Sequence, residues 1–182
     1  MYAIISELDP KSSSTVNQIW RELCEGCGLT AIYNMPLPHL TWMVAEDLDI
    51  EKSKAYLAQI SRRTMPLTLH TFGLGIFTGA KPVLYLPTVK TIEMITLHEE
   101  IWRQLSPVST DQKKYYSPRL WVPHVTLALN DLNQENLACA INAIAFETIE
   151  LFIRISNLAL ARYEDKKAGE IIENLKFSDL ES

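Results

Sequence analysis

The spacing of apolar positions along the chain switches between a two-residue period and a helical period, which predicts strands alternating with helices. Residues 2–8 alternate between apolar and small or polar side chains, as in a half-buried strand. Apolar positions three and four apart follow from Thr15 to Cys27, behind a turn that holds helix-capping serines. Gly28 is typical of the residue that ends a helix, so a strand followed by a helix is predicted here.

The same two signals continue through the first half of the chain. The predicted elements are, in order, a short strand over 30–33, a strand over 39–45, a helix capped by Asp49 and ending near Arg62, and a hairpin of strands 67–77 and 83–89. Glycine interrupts the first hairpin strand, and a Gly-containing turn joins it to the second.

The second half repeats this order. The predicted elements are a helix over 91–105, a polar loop over 106–120, a strand from His124, a helix capped by Asn133 and ending near Ala145, a strand over 147–162, a polar turn over 163–169 and a strand over 170–177. The strict strand–helix–strand rhythm of a parallel sheet is not followed, so we predict an α+β fold. We expect two similar lobes related by an internal duplication, with antiparallel sheets lining a central groove and helices outside.

A short unit occurs twice and opens a predicted strand each time. The two copies read Pro38-His39-Leu40-Thr41-Trp42 and Pro123-His124-Val125-Thr126-Leu127. On a strand, residues two apart leave the same face, so each copy presents an imidazole beside a hydroxyl while its apolar residues point into packing. Two such pairs, brought together, would converge on one small anion.

Paired histidines can divide the work of displacing a group at phosphorus. One imidazole activates the attacking water, and the other protonates the departing oxygen. The threonine hydroxyls can donate to the oxygens on which negative charge accumulates. Neither role needs a metal or another cofactor. Facing histidines also fit zinc, but a catalytic zinc site usually takes three protein ligands, and the nearest acidic residues lie well beyond each pair.

With these motifs the chain resembles the 2H phosphoesterase superfamily, which includes bacterial 2′,5′ RNA ligase-like proteins and plant cyclic nucleotide phosphodiesterases. The resemblance covers the whole chain, residues 1–182, as one domain with lobes near 1–90 and 91–182 that could exchange strands. It implies that His39 and His124 are the catalytic pair, with Thr41 and Thr126 on the phosphate. It also implies metal-independent opening of 2′,3′-cyclic phosphates.

The resemblance leaves two points open. Family analogy makes His124 the base and His39 the acid, but the near-symmetry of the motifs gives no independent support for that order. Some relatives carry a tyrosine shortly after the second motif, where this chain has Leu129. The pocket wall is therefore expected from Phe77 and Tyr85, with Trp42 and Tyr115 as further candidates.

The composition of the chain limits which binding partners and which cellular compartment are expected. The chain of 182 residues has a net charge of −5, which does not fit a broad basic surface for duplex DNA. No signal peptide or membrane span is readable. Three cysteines, an odd count, argue against a disulfide framework and for a reducing compartment. We expect a cytoplasmic monomer that acts on a small nucleotide cyclic phosphate or an RNA end.

Other notable residues are expected to have ordinary roles. Cys24 and Cys27 form a C-x-x-C spacing without a second pair, so they are expected to be ordinary thiols. His70 and His98 lack the motif threonine and are expected to be structural or surface residues. Three basic residues in the 106–120 loop could help hold a phosphate, against the simpler view that they are solvated: Lys113, Lys114 and Arg119.

Two alternatives to hydrolysis use the same residues. A module that binds a nucleotide without turning it over would also need His and Thr around the phosphate. Reversible RNA ligation would run the same chemistry backwards, with a ribose hydroxyl as the nucleophile.

Overall fold

The computed structural model describes residues 1–164 and 168–178, which form an α+β fold with four α-helices. The bounds are β1 (Tyr2–Glu7), α1 (Pro10–Cys27), β2 (His39–Ala45), β3 (Asp47–Leu48), α2 (Ile50–Ser61), β4 (Leu67–His70), β5 (Gly75–Phe77), β6 (Val83–Pro87), α3 (Ile92–Leu105), β7 (Ser109–Thr110), β8 (His124–Ala128), α4 (Leu137–Ile144), β9 (Phe152–Ile155), β10 (Asn157–Arg162) and β11 (Glu170–Lys176). Short 3-10 helices occupy Ala31–Asn34, Ser106–Val108 and Lys114–Tyr116. None of the helices within the described ranges is long and apolar enough to cross a membrane.

Helix capping explains where most helices begin. The Asp49 side chain accepts the Lys52 N–H at the start of α2, and Thr91 accepts the Met94 N–H at the start of α3. Both helices therefore begin where the sequence predicts. Helix α1 begins earlier than predicted, because Asp9 rather than a serine accepts the first free N–H groups.

Two predicted elements differ from those in the structure because side-chain oxygens accept hydrogen bonds from the backbone N–H groups there. The Asp131 carboxylate accepts the N–H groups of Thr30 and Ala31, both at 2.7 Å, and residues 31–34 form a 3-10 turn instead of a strand. The Asn133 side chain accepts the N–H groups of the two residues before α4, which closes a separate turn. Helix α4 consequently begins after Asn136 rather than after Asn133.

Two long predicted strands are each divided between sheets. Residues 147–162 yield β9, which pairs with β4, and β10, which pairs with β1. Residues 67–77 likewise yield β4 and β5, and β5 pairs with β6 in the predicted hairpin. The predicted polar turn over 163–169 lies partly outside the described residues.

One seven-stranded sheet organises the molecule, with the two motif strands at its centre. Its order is β11-β10-β1-β2-β8-β6-β5, and every strand pair is antiparallel. The order is symmetric about the β2–β8 boundary, since β10-β1-β2 matches β5-β6-β8. The part of the sheet around β8 takes β5 and β6 from the first half of the chain, and the part around β2 takes β10 and β11 from the second half. The division into lobes near residue 90, within a single domain 1–182, stays a prediction.

The helices also pack against elements from the other half of the chain. Helix α1, from the first half, packs against α4 and β8, whereas α3 packs against α2 and β2. Apolar side chains from these helices and from one face of the sheet form the main core. The other face of the sheet carries the polar motif residues and a smaller apolar cluster of Ala3, Ile5, Ala159 and Ala161.

A disulfide joins Cys27 at the end of α1 to Cys139 in α4, with the two Cα atoms 5.8 Å apart. The expectation that the odd cysteine count argues against a disulfide is therefore wrong. Because α1 packs on α4, residues 112 apart in sequence become neighbours. Of the two residues expected to be ordinary thiols, Cys24 is a free thiol, and the expectation is wrong for Cys27.

Candidate functional site

The motif side chains gather where the two central strands meet. Leu40 of β2 pairs with Val125 of β8, and both side chains are fully buried in the core. In an antiparallel pair, the residues flanking such a pair face each other on the opposite surface of the sheet. The register therefore sets His39 across from Thr126 and Thr41 across from His124, and all four side chains are half-buried.

Both imidazoles are held in the same way by the backbone just before them. Nδ1 of His39 lies 2.7 Å from the Leu37 carbonyl oxygen, and Nδ1 of His124 lies 2.7 Å from the Val122 carbonyl oxygen. A carbonyl oxygen can only accept, so each Nδ1 carries the proton and donates it. The remaining nitrogen, Nε2, is then left to exchange a proton on each ring.

Partial burial keeps these rings neutral. Desolvation lowers the pKa of His39 to about 4, against the opposing effect of the Leu37 carbonyl and with a further lowering by charge on His124. Desolvation also lowers the pKa of His124, again opposed by its carbonyl partner. His39 is therefore an uncharged base at neutral pH, with its lone pair on Nε2.

Each motif strand carries a β-bulge directly after its threonine. The β1–β2 register slips so that Trp42 is the extra residue, and the β6–β8 register slips so that Leu127 is the extra residue. After each bulge two successive side chains enter the core, namely Trp42 with Met43 and Leu127 with Ala128. The bulges turn both strands at the point where the site ends, as bulges beside functional sites commonly do.

Two buried tryptophans bind the carbonyl groups of the motif threonines. The indole N–H of Trp121 donates to the Thr41 carbonyl at 3.0 Å, and the indole N–H of Trp20 donates to the Thr126 carbonyl at 3.1 Å. Sequence reasoning missed both residues, because nothing in the local pattern shows which carbonyl a distant indole will reach.

An aromatic pair borders the site at His124. The rings of Phe77 and Tyr85 stack with centroids 4.1 Å apart, and each ring centroid lies 5.0 Å from that of His124. Phe77 and Tyr85, the two residues predicted for the pocket wall, therefore both lie beside His124. Trp42 cannot form part of the pocket wall, because it is buried on the core face of the sheet, where its indole N–H donates to Ser6 Oγ at 2.7 Å. Tyr115 is 70% exposed.

Tyr116 is a further hydroxyl beside the first motif. Burial raises the pKa of Tyr116, and a hydrogen bond with the Thr41 side chain acts in the opposite direction. Nε2 of His98 lies 3.0 Å from the carbonyl oxygens of both Tyr116 and Trp42, which ties this segment to β2. His98 is therefore structural, as expected, and Tyr116 is a site neighbour that sequence reasoning missed.

The remaining candidates lie in ordinary surroundings. His70 bonds Glu150 at 2.7 Å and stacks on exposed Phe152, as expected of a surface residue. Lys113 forms an ion pair with Glu46. Within residues 1–164 and 168–178, no three His, Cys, Asp or Glu side chains are grouped so that they could hold a metal ion.

Comparison with known proteins gives both a family and a fold. The model of the family described as the 2′-5′ RNA ligase superfamily matches residues 8–167. A Bacillus cereus strain B4264 protein, provisionally named a phosphoesterase, is 33% identical over 98 residues, which cover 52% of this chain and 53% of that protein. The chain therefore spans about half the length of the curated relatives it matches.

Solved structures match over nearly the full length. The protein TT0787 of Thermus thermophilus has a TM-score of 0.65 at 16% identity, covering 97% of both chains. A crystal structure described as a phosphoesterase has a TM-score of 0.58 at 17% identity, covering 98% of both chains. At these identities the likeness establishes the fold.

Proposed function

Because the chain belongs to the 2′-5′ RNA ligase superfamily, we propose that it is a phosphodiesterase that opens 2′,3′-cyclic phosphates of nucleotides or RNA ends. His39 and His124 are the acid/base pair of this proposal. The observation that carries it is their matched tethering, in which a backbone carbonyl fixes Nδ1 of each ring and leaves Nε2 to exchange protons on the shared face of the sheet.

The reaction balances with these groups alone. A water oxygen attacks phosphorus while the bond from phosphorus to one ribose oxygen breaks. One Nε2 takes the proton from the water, and Nε2–H of the other, protonated histidine gives a proton to the departing ribose oxygen. The product is a nucleoside monophosphate, and the next turnover needs the two protons to be redistributed. No metal has a step in this scheme.

The remaining candidate residues have binding roles in the proposal. The hydroxyls of Thr41 and Thr126 donate to the two non-bridging oxygens, on which charge grows in the transition state. The Phe77–Tyr85 stack binds the nucleobase, since an aromatic face accepts any base without reading its edge. Because the stack lies beside His124, the proposal has the nucleoside on that side of the phosphate.

The protonation state of the free protein fits an anionic substrate. With the pKa of His39 near 4, that ring lacks the second proton that a general acid needs at neutral pH. A bound phosphate anion favours imidazolium and raises the pKa of the histidine nearest to it. Substrate binding would thus create the acid and leave the other ring as the base.

The proposal extends to the size of the substrate, the compartment and the oligomeric state. Its substrates are single cyclic nucleotides or RNA ends rather than duplex DNA, and it acts as a cytoplasmic monomer. The acidic net charge of −5 supports the choice of a small substrate. The Cys27–Cys139 disulfide removes the cysteine count as an argument for that compartment.

Hydrolysis of the four nucleoside 2′,3′-cyclic monophosphates in EDTA tests the proposal. We expect metal-independent turnover that falls by at least a hundredfold in His39→Ala and in His124→Ala, as is typical when a general acid or base is lost. A His70→Ala variant is the control, because that ring lies outside the site. Equal rates in the parent and in both site variants would overturn the assignment.

Nucleotide binding without turnover is the second candidate. The observation that favours it is the arrangement of two histidines and two threonines on one face of the sheet, which would bind a phosphate whether or not a bond is broken. Calorimetry with nucleoside 3′-monophosphates, run beside the hydrolysis assay, separates the two candidates. Tight binding without hydrolysis favours the module, and a joined product from cyclic-phosphate and 5′-hydroxyl RNA ends would favour ligation.

A further inference from the structure

The two buried indoles bind carbonyl groups at the seam between the two motif strands. In the pairing of β1 with β2 and of β6 with β8, Thr41 and Thr126 occupy positions whose main-chain groups point away from β1 and β6 and towards that seam. Within the described residues the pairing across the seam is the single pair of Leu40 with Val125. Since a buried carbonyl without a partner is destabilising, the indole N–H groups of Trp121 and Trp20 stabilise the backbone there, directly before each bulge.

The two bonds cross between the halves of the chain. Trp20 lies in α1 of the first half and binds the second motif, whereas Trp121 lies in the second half and binds the first motif. Both indoles are at most 4% exposed, so water does not compete for these bonds. Trp121 is further fixed by stacking on His98, with ring centroids 3.8 Å apart.

The geometry points to Trp20 and Trp121 as positioning residues for the candidate active site. Each indole fixes the backbone at which a motif strand turns, and thereby the direction in which the preceding His and Thr side chains leave that strand. Trp20 fixes the orientation of the His124 and Thr126 side chains. Trp121 fixes the orientation of the His39 and Thr41 side chains. This inference deepens the proposed function and rests on it for the rate measurement below.

Replacing each tryptophan by 3-benzothienylalanine tests the inference, because sulfur takes the place of the indole N–H in a ring of nearly the same shape. Trp20→Phe and Trp121→Phe are the simpler second variants. Trp102 provides the matched control, since its partly buried indole forms no hydrogen bond within the described residues. Thermal unfolding identifies the temperature at which every variant is folded, and all measurements are made there.

We expect kcat to fall by roughly five- to tenfold in the benzothienylalanine variants at positions 20 and 121, with KM changed by less than about twofold, because one hydrogen bond is lost. The variant at position 102 keeps the parent kcat. A loss of thermal stability with the parent kcat at both positions would overturn the inference, since it would make the indoles merely structural.

Histidine NMR provides a readout that needs no turnover. The Trp20 variant should shift the imidazole resonances and titration of His124 more than those of His39, and the Trp121 variant should do the reverse. Unchanged resonances of both rings would overturn the positioning role. If the parent itself does not hydrolyse cyclic phosphates, the proposed function fails, and the NMR comparison still decides the positioning role.

Discussion

The phenol ring of Tyr85 lies directly over the backbone of Gly75. A β-carbon built at position 75 would be 2.4 Å from two ring carbons of Tyr85 and 2.7 Å from its hydroxyl oxygen. Residues 75 and 85 face each other in the β5–β6 register, so the missing side chain makes room for the ring. Gly75 thereby sets the position of Tyr85 beside His124.

Gly75→Ala should therefore weaken nucleotide binding. The new methyl group must displace the Tyr85 ring, which disturbs its stack with Phe77, and aromatic stacking on a base contributes about 1–3 kcal/mol. We expect KM for a cyclic nucleotide to rise by roughly tenfold with a smaller change in kcat. Gly26→Ala is the control, because a β-carbon there meets nothing within 4 Å. An unchanged KM would show that the stack does not bind the base.

Phosphate binding should be accompanied by proton uptake. The pKa of His39 is about 4 in the free protein, and a bound anion raises it, so the complex holds more protons than its components between the two pKa values. Affinity should therefore fall as pH increases through the pKa of the complex. Calorimetry at pH 6 in two buffers of different ionisation enthalpy measures the uptake, and His39→Gln should reduce it. Equal heats in both buffers would contradict this expectation.

Acid should destabilise the protein through His98. Burial lowers the pKa of His98 to about 4, below the unfolded value near 6.5, so the unfolded chain binds the extra proton as pH falls. The contribution of neutral His98 is complete above about pH 6.5 and is lost progressively towards pH 4. From pH 7 to pH 5 the free energy of unfolding should drop by about 2 kcal/mol from this group.

Urea unfolding at the two pH values measures that drop. His98→Gln keeps a donor near the Trp42 and Tyr116 carbonyls but does not titrate, so its pH dependence should be flatter by the same amount. His70→Gln, at a histidine outside the main core, is the matched control for the loss of an imidazole. A parent slope in His98→Gln would assign the acid sensitivity to other groups.

Reduction of the Cys27–Cys139 disulfide should lower stability. The bond closes a loop of 112 residues, and the chain-entropy model assigns about 4–5 kcal/mol to a loop of that length. Urea unfolding with and without dithiothreitol measures the difference, and Cys139→Ser should match the reduced parent. The denatured, unreduced protein should titrate one thiol, Cys24, whereas three thiols would show that the bond does not form in solution.

Local signals in the sequence predicted the elements that local interactions decide. Asp49 and Thr91 begin their helices as their positions before an apolar helical pattern require. The twofold His-x-Thr unit predicted the shared face of β2 and β8, because strand alternation is a property of the chain itself. The α+β class followed from the order of these elements.

Long-range partners decided the rest. No local pattern shows that Asp131 will bind the backbone at Thr30, or that Cys27 will meet Cys139 across packed helices. The bulges left a trace, since a second apolar residue follows the expected core position in both Trp42-Met43 and Leu127-Ala128. That doubling could have marked the end of strict alternation in each motif strand.

The pairing of strands from both halves of the chain in one sheet also affects how the protein folds during its synthesis. Strand β6 emerges from the ribosome before its neighbour β8, and β1 emerges long before its neighbour β10. The first half alone therefore exposes unpaired strand edges, a condition that favours aggregation of nascent chains. Such distant pairings also slow folding, because long loops must close before the contacts form. Neither half, released alone, would contain both motifs.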